Sequence, residues 1–146
     1  MKTLLLENGD LVVGEGGFVM LEGSQKVRQD LSITMKEPFG IDRFHPRWGS
    51  LLHEYIGGTV GTETQMFIEG EVARLVQNYM ALQQEQVERD LALGSVPRFS
   101  TGELVERVES IQIRQKYDSF RVRVTLRTIS GQDVVLTQSI SPEGSA

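Results

Sequence analysis

The sequence predicts an α+β fold: an N-terminal β-hairpin, two to three helices of which one is long, and a C-terminal three-stranded antiparallel meander. Three patterns carry this prediction. An Asn-Gly pair separates two apolar runs near the N-terminus, apolar residues recur at helical spacing from residue 62, and apolar and polar residues alternate between residues 111 and 140. A chain of 146 residues suits one domain with a modest core, so residues 1–146 are interpreted as a single domain.

The composition is that of an ordinary globular protein, and it narrows the classes of function. A net charge of −5 argues against binding to nucleic acid or to an anionic membrane. The absence of cysteine excludes disulfides, thiolate metal sites and cysteine nucleophiles. The apolar run after Lys2 is too short for a signal peptide, and no segment approaches the roughly 20 apolar residues that span a bilayer. An intracellularly made, soluble chain is therefore expected.

The N-terminal hairpin is predicted over residues 2–13, because Asn8-Gly9 suits the two positive φ angles of a type I′ turn. Glycines at positions 14, 16 and 17 then break the chain, and Phe18–Leu21 is predicted to form another short strand. No internal repeat is apparent.

A first helix is predicted over residues 25–36, with Ser24 as its N-cap and Pro38 beyond its end. Its apolar stripe consists of Val27, Leu31 and Met35. A short helix is predicted over Gly49–Ile56.

The long helix is predicted from Thr62, where Thr62 and Gln65 have the spacing of a capping box, to about Leu93. Its second half is polar, so it is expected to project into solvent or to pack against something outside the domain. Ser100 and Glu103 repeat the capping-box spacing and predict a further short helix, Thr101–Val108.

The meander is predicted from three strand-like segments, Ile111–Gln115, residues 120–127 and Val134–Ile140. Arg121, Arg123 and Arg127 alternate with apolar residues, which predicts one wet, Arg-rich face. Phosphate contact is one interpretation of this face, but a basic exposed sheet is a better place for a protein partner to dock or to add a strand.

Residues 37–58 concentrate both histidines and the only tryptophan, which makes them candidates for a catalytic or metal site. The set of Asp42, His45, His53 and Glu54 has no known ligand spacing, since the HExxH pattern is absent. Ser50 lacks the second glycine of a GxSxG elbow, and the carboxylates of Glu37, Asp42 and Glu54 are unremarkable in an acidic chain. No catalytic residue, metal or cofactor is therefore expected. The stretch is interpreted as a connector in which Phe39, Phe44 and Trp48 pin the loop to the domain or to a partner.

The stretch QDLSITMKEPFGIDRFHPRWGSLLHEYIG, residues 29–57, resembles the baseplate wedge or sheath-initiator family of contractile phage tails and related injection machines. The family pattern combines a helix, a Pro/Phe/Gly loop closed by a Gly-Ser-Leu-Leu helix start, a long second helix and a C-terminal meander. Residues 45–52, 62–93 and 111–140 match the last three parts. The resemblance covers residues 25–140 and leaves residues 1–23 as an N-terminal hairpin addition.

The resemblance implies a structural virion protein, made in the host cytoplasm, that joins the baseplate wedge to the tail sheath and initiates sheath polymerisation. It implies several copies around the tail axis, with the sheath protein, other wedge proteins and the tail tube as partners. It also implies that strand Val134–Ile140 adds to the first sheath ring, with the Arg-rich face against an acidic partner. The partner-binding residues expected on this basis are Arg121, Arg123, Arg127, Val134, Leu136, Ile140, Pro97, Arg98, Phe39 and Trp48.

This chain departs from the family pattern in one place. Many members carry a Glu-Pro-Arg triplet after the second helix, whereas this chain has Val96-Pro97-Arg98. The alternatives left open are a tail-associated cell-wall hydrolase acting through Glu37, Asp42 or Glu54, and an adaptor of a non-contractile tail. The strand-exchange hypothesis further expects that deletion of residues 134–146 leaves a folded domain.

Overall fold

The computed structural model describes residues 2–7, 10–44, 46–55, 62–116 and 119–140. The helices found there are α1 (Ser24–Lys36), a short 3₁₀ helix (Leu52–Tyr55) and α2 (Thr62–Ala92). The N-terminal part contains two-residue strands: β1 Thr3–Leu4, β2 Leu6–Glu7, β3 Asp10–Leu11, β4 Val13–Gly14, β5 Gly17–Phe18 and β6 Met20–Leu21. Three long strands follow α2: β7 Val105–Lys116, β8 Ser119–Thr128 and β9 Asp133–Ile140. The predicted α+β class is confirmed.

The C-terminal sheet has the strand order β7-β8-β9, with both neighbouring pairs antiparallel, so the predicted meander is confirmed. Apolar and polar residues alternate along β8, and this alternation decides which face of the sheet packs against the core. The apolar residues Phe120, Val122, Val124 and Leu126 are buried, while Arg121 and Arg123 between them are exposed.

Strand β7 begins earlier than predicted, and the helix predicted over Thr101–Val108 is absent. Residues 101–104 form a turn in which the N–H groups of Glu103 and Leu104 donate to the Ser100 carbonyl. Val105 already pairs with Thr128 across the sheet. Strand pairing therefore overrides the local capping signal, and the Glu103 side chain is not used as a helix cap at this position.

Helix α1 begins at Ser24, so Ser24 is not its N-cap as predicted. Gly23 takes that position with φ +67°, a left-handed conformation that favours glycine. The Gly23 N–H donates to Oε1 of Glu103 at 3.2 Å. A carboxylate at this end is favourable for the helix dipole, and here it comes from a residue distant in the chain.

The core forms where α1 and α2 cover one face of the C-terminal sheet. The predicted stripe of α1, Val27, Leu31 and Met35, is buried as expected. The other core members come mainly from α2 and the sheet: Ile68, Val72, Leu75, Val76, Tyr79, Phe120, Val122, Val124, Leu126, Val134 and Leu136.

Strand β9 is part of this core, which contradicts the expectation that residues 134–146 can be removed from a folded domain. Val134 is 1% exposed and Leu136 is 4% exposed. Each such side chain contributes about 1.5–3 kcal/mol when it is buried. Deletion of β9 would remove both and uncover the neighbouring strand β8, so it is expected to destabilise the domain by several kcal/mol and to confound a test of function.

The polar second half of α2 packs against its own chain on one face, contrary to the prediction. Gln83 is 3% exposed; its amide donates to the Glu103 carbonyl at 2.7 Å and accepts the Val105 N–H at 3.0 Å. Asp90 is buried in the same way and accepts the Arg98 N–H. Buried polar groups that are fully hydrogen-bonded explain how a helix with so few apolar residues here stays docked.

The N-terminal strands form a three-armed module, residues 3–21, rather than one hairpin followed by a strand. Its arms are the antiparallel pairs β2-β3, β4-β5 and β6-β1. Three residues spaced by seven close a ring at its centre: Leu5 N–H donates to Val19, Val12 N–H to Leu5, and Val19 N–H to Val12. The chain therefore contains a seven-residue repeat that was not recognised in the sequence. The predicted Asn8-Gly9 turn lies outside the described residues.

Candidate functional site

The outer face of the C-terminal sheet is basic, as predicted. Arg121 and Arg123 are exposed there and Arg127 is half-buried. In the antiparallel register, Arg121 lies opposite Arg114, Arg123 opposite Gln112 and Arg127 opposite Arg107. Because directly opposed residues share a face, this basic face carries Arg107, Arg114, Lys116, Arg121, Arg123 and Arg127, with Asp133 opposite Arg127 as an acidic member at its end.

The centre of the basic face carries uncompensated charge. In the part of the chain that the structure describes, Arg114, Arg121 and Arg123 form no ion pair, although Arg107 bonds Glu109 at 2.8 Å. Like charges directly opposite each other, such as Arg114 and Arg121, destabilise a sheet. An acidic partner would relieve this repulsion, so the face is suited to docking an acidic surface.

Strand β9 forms an edge of the sheet, and its register shows which of its backbone N–H and C=O groups face β8 and which face outward. The Thr128 N–H donates to the Gln132 carbonyl, which makes residues 128 and 132 a hydrogen-bonded pair. Such pairs alternate with non-hydrogen-bonded ones along an antiparallel ladder. It follows that Val135, Thr137 and Ser139 point their N–H and C=O groups away from β8. Within the described residues no backbone group pairs with them there.

The predicted partner-binding residues of β9 divide between the core and the edge. The side chains of Val134 and Leu136 are buried, and that of Ile140 is half-buried against the core. These side chains therefore hold the strand in place, while the backbone of the residues between them is what a partner strand can reach.

The other edge of the sheet, β7, is less open to strand addition. Its register is interrupted between Val105 and Arg107 and again between Val108 and Ser110, whereas β9 pairs with β8 without interruption. Bulges of this kind twist an edge and disfavour pairing with another chain.

A groove of about 740 Å³ runs beside β9, between α1 and the three-armed module. Its apolar lining comes from Leu5, Leu6, Leu21, Ile33, Pro38 and Leu136. Arg28 and Lys36 also line it, with Glu37 as the acidic member. An extended segment on the β9 edge would lie next to this groove and could place side chains in it.

The connector loop, residues 37–51, is closed at its base by backbone hydrogen bonds. Phe39 N–H donates to Ser50, Gly40 N–H to Trp48, and Ser50 N–H to Glu37, at 2.8–3.1 Å between nitrogen and oxygen. Gly49 has φ +96°, and a Cβ atom there would lie 2.4 Å from the Pro38 carbonyl oxygen. Only glycine fits this crossing, so the loop's shape is specified by its backbone.

Helix α2 holds the connector loop through Glu71 and Arg74. The buried Glu71 carboxylate accepts the Leu51 N–H at 2.9 Å and the Arg74 Nε at 2.9 Å, and Arg74 also reaches the Gly49 carbonyl. Burial on its own would raise the pKa of Glu71, but the hydrogen bonds from Arg74 and Leu51 hold that pKa below its ordinary value. The carboxylate is therefore charged at neutral pH.

The two aromatic residues predicted to bind a partner lie at the base and side of the connector loop. The Phe39 ring is 44% exposed and has the Arg74 guanidinium 4.8 Å from its centroid. Trp48 is half-buried and lines a groove of about 380 Å³ between the loop and α2. Phe44, the third aromatic residue expected to pin the loop, is 89% exposed and so does not pin it to the domain; with Ile41, which is 67% exposed and was not predicted, it forms the apolar tip of the loop.

Pro97 and Arg98 lie just after α2, and Arg98 is held by its own chain. Its N–H donates to the Asp90 carboxylate at 3.0 Å, and its Nε lies 3.4 Å from the other Asp90 oxygen. The Arg98 N–H and the other donors around this carboxylate hold the pKa of Asp90 below its usual value. The Arg98 side chain is still 58% exposed, so it can contact a partner while it remains paired.

A buried polar cluster between α1, α2 and residues 99–103 was not found by sequence reasoning. Asp30 pairs with Lys26 and accepts the Tyr79 hydroxyl at 2.9 Å. Burial, followed by the Asp30 carboxylate, raises the pKa of Tyr79, so the phenol stays protonated as a donor. Lys26 lies 5.3 Å from the centroid of the Phe99 ring. These groups satisfy one another inside the fold, and their role is structural.

The carboxylates considered for hydrolysis hold separate positions. Asp42 accepts the Phe44 N–H at 2.8 Å and stabilises a turn, and Glu54 is exposed on the 3₁₀ helix. Among the described residues no three acidic or histidine side chains are placed to hold a metal ion; His45 and the His53 side chain lie outside them. No helix in the described ranges is long and apolar enough to cross a membrane.

No family model, curated protein or solved structure matches this chain.

Proposed function

We propose that this chain is a structural component of a contractile tail that joins the baseplate wedge to the sheath and initiates sheath assembly. The proposal rests on the resemblance of residues 25–140 to the sheath-initiator family and on the surfaces that the fold presents. The protein acts by binding other proteins and carries out no covalent chemistry.

The observation that carries the proposal is the open edge of β9. Val135 and Thr137 offer outward N–H and C=O groups along a regular strand, and the basic face adjoins them. Ser139 offers its N–H, while its carbonyl accepts the Gln138 side-chain amide at 3.0 Å. A strand of the sheath protein added here gains backbone hydrogen bonds, and an acidic segment beside it gains contacts with Arg121 and Arg123. On the β7 edge the two bulges confine regular pairing to residues 110–116.

The connector loop supplies the second contact, with the wedge. Its base is fixed to α2 by Glu71, so its exposed apolar tip, Ile41 and Phe44, is presented on a rigid support. A rigid apolar anchor loses little conformational entropy on binding. On this proposal the C-terminal strand binds the sheath and the connector loop binds the wedge.

Substitution of Thr137 by proline tests the strand-addition step. Proline removes the outward N–H of Thr137 and leaves the ladder between β8 and β9 intact, since Thr137 does not bond β8. Baseplates assembled with the T137P protein are expected to nucleate sheath at least tenfold more slowly, counted by electron microscopy of tails.

The matched control is Thr137→Ala, which removes the exposed side chain but keeps the N–H. It is expected to nucleate sheath like the wild-type protein. Circular dichroism of both variants checks that the fold is retained. Normal nucleation by a folded T137P protein would refute strand addition at β9.

A further inference from the structure

The three-armed module presents one apolar face that the domain does not cover. The ring of hydrogen bonds among Leu5, Val12 and Val19 defines an approximate threefold axis through its centre. Residues that are directly paired across two strands share a face. The approximate threefold rotation corresponds to a step of seven residues along the chain, so it relates each pair to the equivalent pair of the next arm. The pairs Leu6–Leu11, Val13–Phe18 and Met20–Leu4 are related in this way and therefore lie on the same face.

Most of this apolar face is open to solvent. Val13 is 68% exposed, Phe18 57%, Met20 47% and Leu11 46%, and Leu4 is 37% exposed. Single exposed apolar residues are ordinary, but a contiguous group of five on so small a module marks an interaction site. These side chains stay exposed in the folded chain, so a partner that covers them would gain free energy from burying apolar surface.

The charged residues of the module indicate which charge the partner carries. Every acidic residue of the module and its exit is exposed: Glu7, Asp10, Glu15 and Glu22. In residues 2–23 they are opposed by Lys2 alone among basic residues. Because successive pairs alternate in face, Glu7 and Asp10 lie on the side opposite to the Leu6–Leu11 pair. Glu15, in the turn between β4 and β5, and Glu22, just after β6, lie at the ends of two arms. An acidic module with an exposed apolar face complements an apolar surface that is flanked by lysine or arginine.

We propose that this face binds an amphipathic helix with an apolar stripe flanked by basic residues. Apolar contacts to Val13, Phe18 and Met20 supply the affinity, and the carboxylates of Glu15 and Glu22 attract the basic residues and select against acidic surfaces. A second copy of the same face is disfavoured as the occupant because it would bring two acidic modules together. An anionic lipid surface is disfavoured for the same reason.

A pair of designed peptides tests the proposal with the full-length chain. Both are 18-residue amphipathic helices with the same leucine stripe, one flanked by lysine and the other by glutamate. Fluorescence anisotropy is expected to show the lysine peptide binding at least tenfold more tightly than the glutamate peptide. The double variant V13S/F18S is expected to weaken lysine-peptide binding at least tenfold, and E15K/E22K to weaken it at least threefold.

The matched control is L93S/V96S, which changes two equally exposed apolar residues after α2; it is expected to bind the lysine peptide like the wild-type protein. Unchanged binding by V13S/F18S would overturn the proposal. So would self-association in sedimentation, or flotation with phosphatidylserine vesicles, that this variant abolishes, since the occupant would then be a second copy or a membrane. Retained melting temperature in V13S/F18S confirms that the surface, and not the fold, was changed.

Discussion

The Glu103 carboxylate accepts the N–H of Gly23 at 3.2 Å and so fixes the start of α1 from a position 80 residues further along the chain. Glu103 is 1% exposed, and its own backbone carbonyl accepts the Gln83 amide. One residue therefore ties the three-armed module's exit, α1, α2 and the start of β7 together.

Glu103→Ala is expected to lower the free energy of unfolding by about 2–4 kcal/mol, because it removes the acceptor of a part-buried N–H and opens a cavity where the Glu103 side chain was buried. Urea denaturation measures the change. The exposed neighbour Glu106 is the control, and Glu106→Ala should change the stability by less than about 0.5 kcal/mol. Equal effects of the two substitutions would mean that the Gly23 contact contributes nothing.

The Glu71 carboxylate makes the stability of the connector loop depend on pH. Its pKa is lowered in the folded chain from an ordinary value of 4.5. A lowered folded-state pKa gives stability that is fully present above pH 4.5 and is lost as the pH falls through the lowered value. The stability difference between the wild-type protein and Glu71→Gln should therefore be constant near neutral pH and shrink on acidification. A difference that grows below pH 4.5 would contradict this assignment.

Alanine substitution at Gly49 and at Gly70 should change the stability of the chain in opposite directions. Gly49→Ala is expected to cost at least about 2 kcal/mol, because its φ is +96° and the new Cβ would collide with the Pro38 carbonyl. Gly70 lies exposed in α2 with nothing within 4 Å of a Cβ, so Gly70→Ala should stabilise the chain by about 0.5–1 kcal/mol. Thermal unfolding of both variants measures the two signs, and a shared sign would refute the account of the loop crossing.

Arg121→Glu should raise stability while it lowers partner binding. Glutamate opposite Arg114 replaces a like-charge pair by an opposite-charge pair, which is worth about 0.2–1 kcal/mol at low salt. Sheath nucleation should fall because the basic face loses charge. Arg121→Gln separates the two effects: it should relieve the repulsion with a smaller gain in stability. If Arg121→Glu weakened the fold, the charge of this face would not be uncompensated as described.

The sheet and the helices could be predicted because their signals are local and periodic. Alternation in residues 120–127 fixed which side chains are buried, and the capping spacing and apolar period placed α2 close to its observed ends. The same local rules failed at Ser100 and Glu103, where a capping box was expected. The Glu103 side chain serves Gly23 instead, and nothing in the neighbouring sequence records a partner 80 residues away.

The candidate surfaces were predictable only in part. The basic face follows from alternation, so Arg121 and Arg123 were located correctly. Strand β9 was also located, but the sequence could not separate its core side chains from its outward backbone, because that depends on the register set by Thr128 and Gln132. The apolar face of the three-armed module was missed since its repeat is seven residues long and each strand has only two residues.

The two ends of the three-armed module lie side by side in the structure. Thr3 lies directly across from Leu21, so the chain enters and leaves residues 3–21 at adjoining points. A segment whose two ends meet can be inserted, exchanged or lost at one place in a chain without moving the elements on either side. Residues 3–21 therefore have the geometry of a transferable cassette, which the Gln29 side chain of α1 holds by accepting the Leu6 N–H and donating to the Leu4 carbonyl.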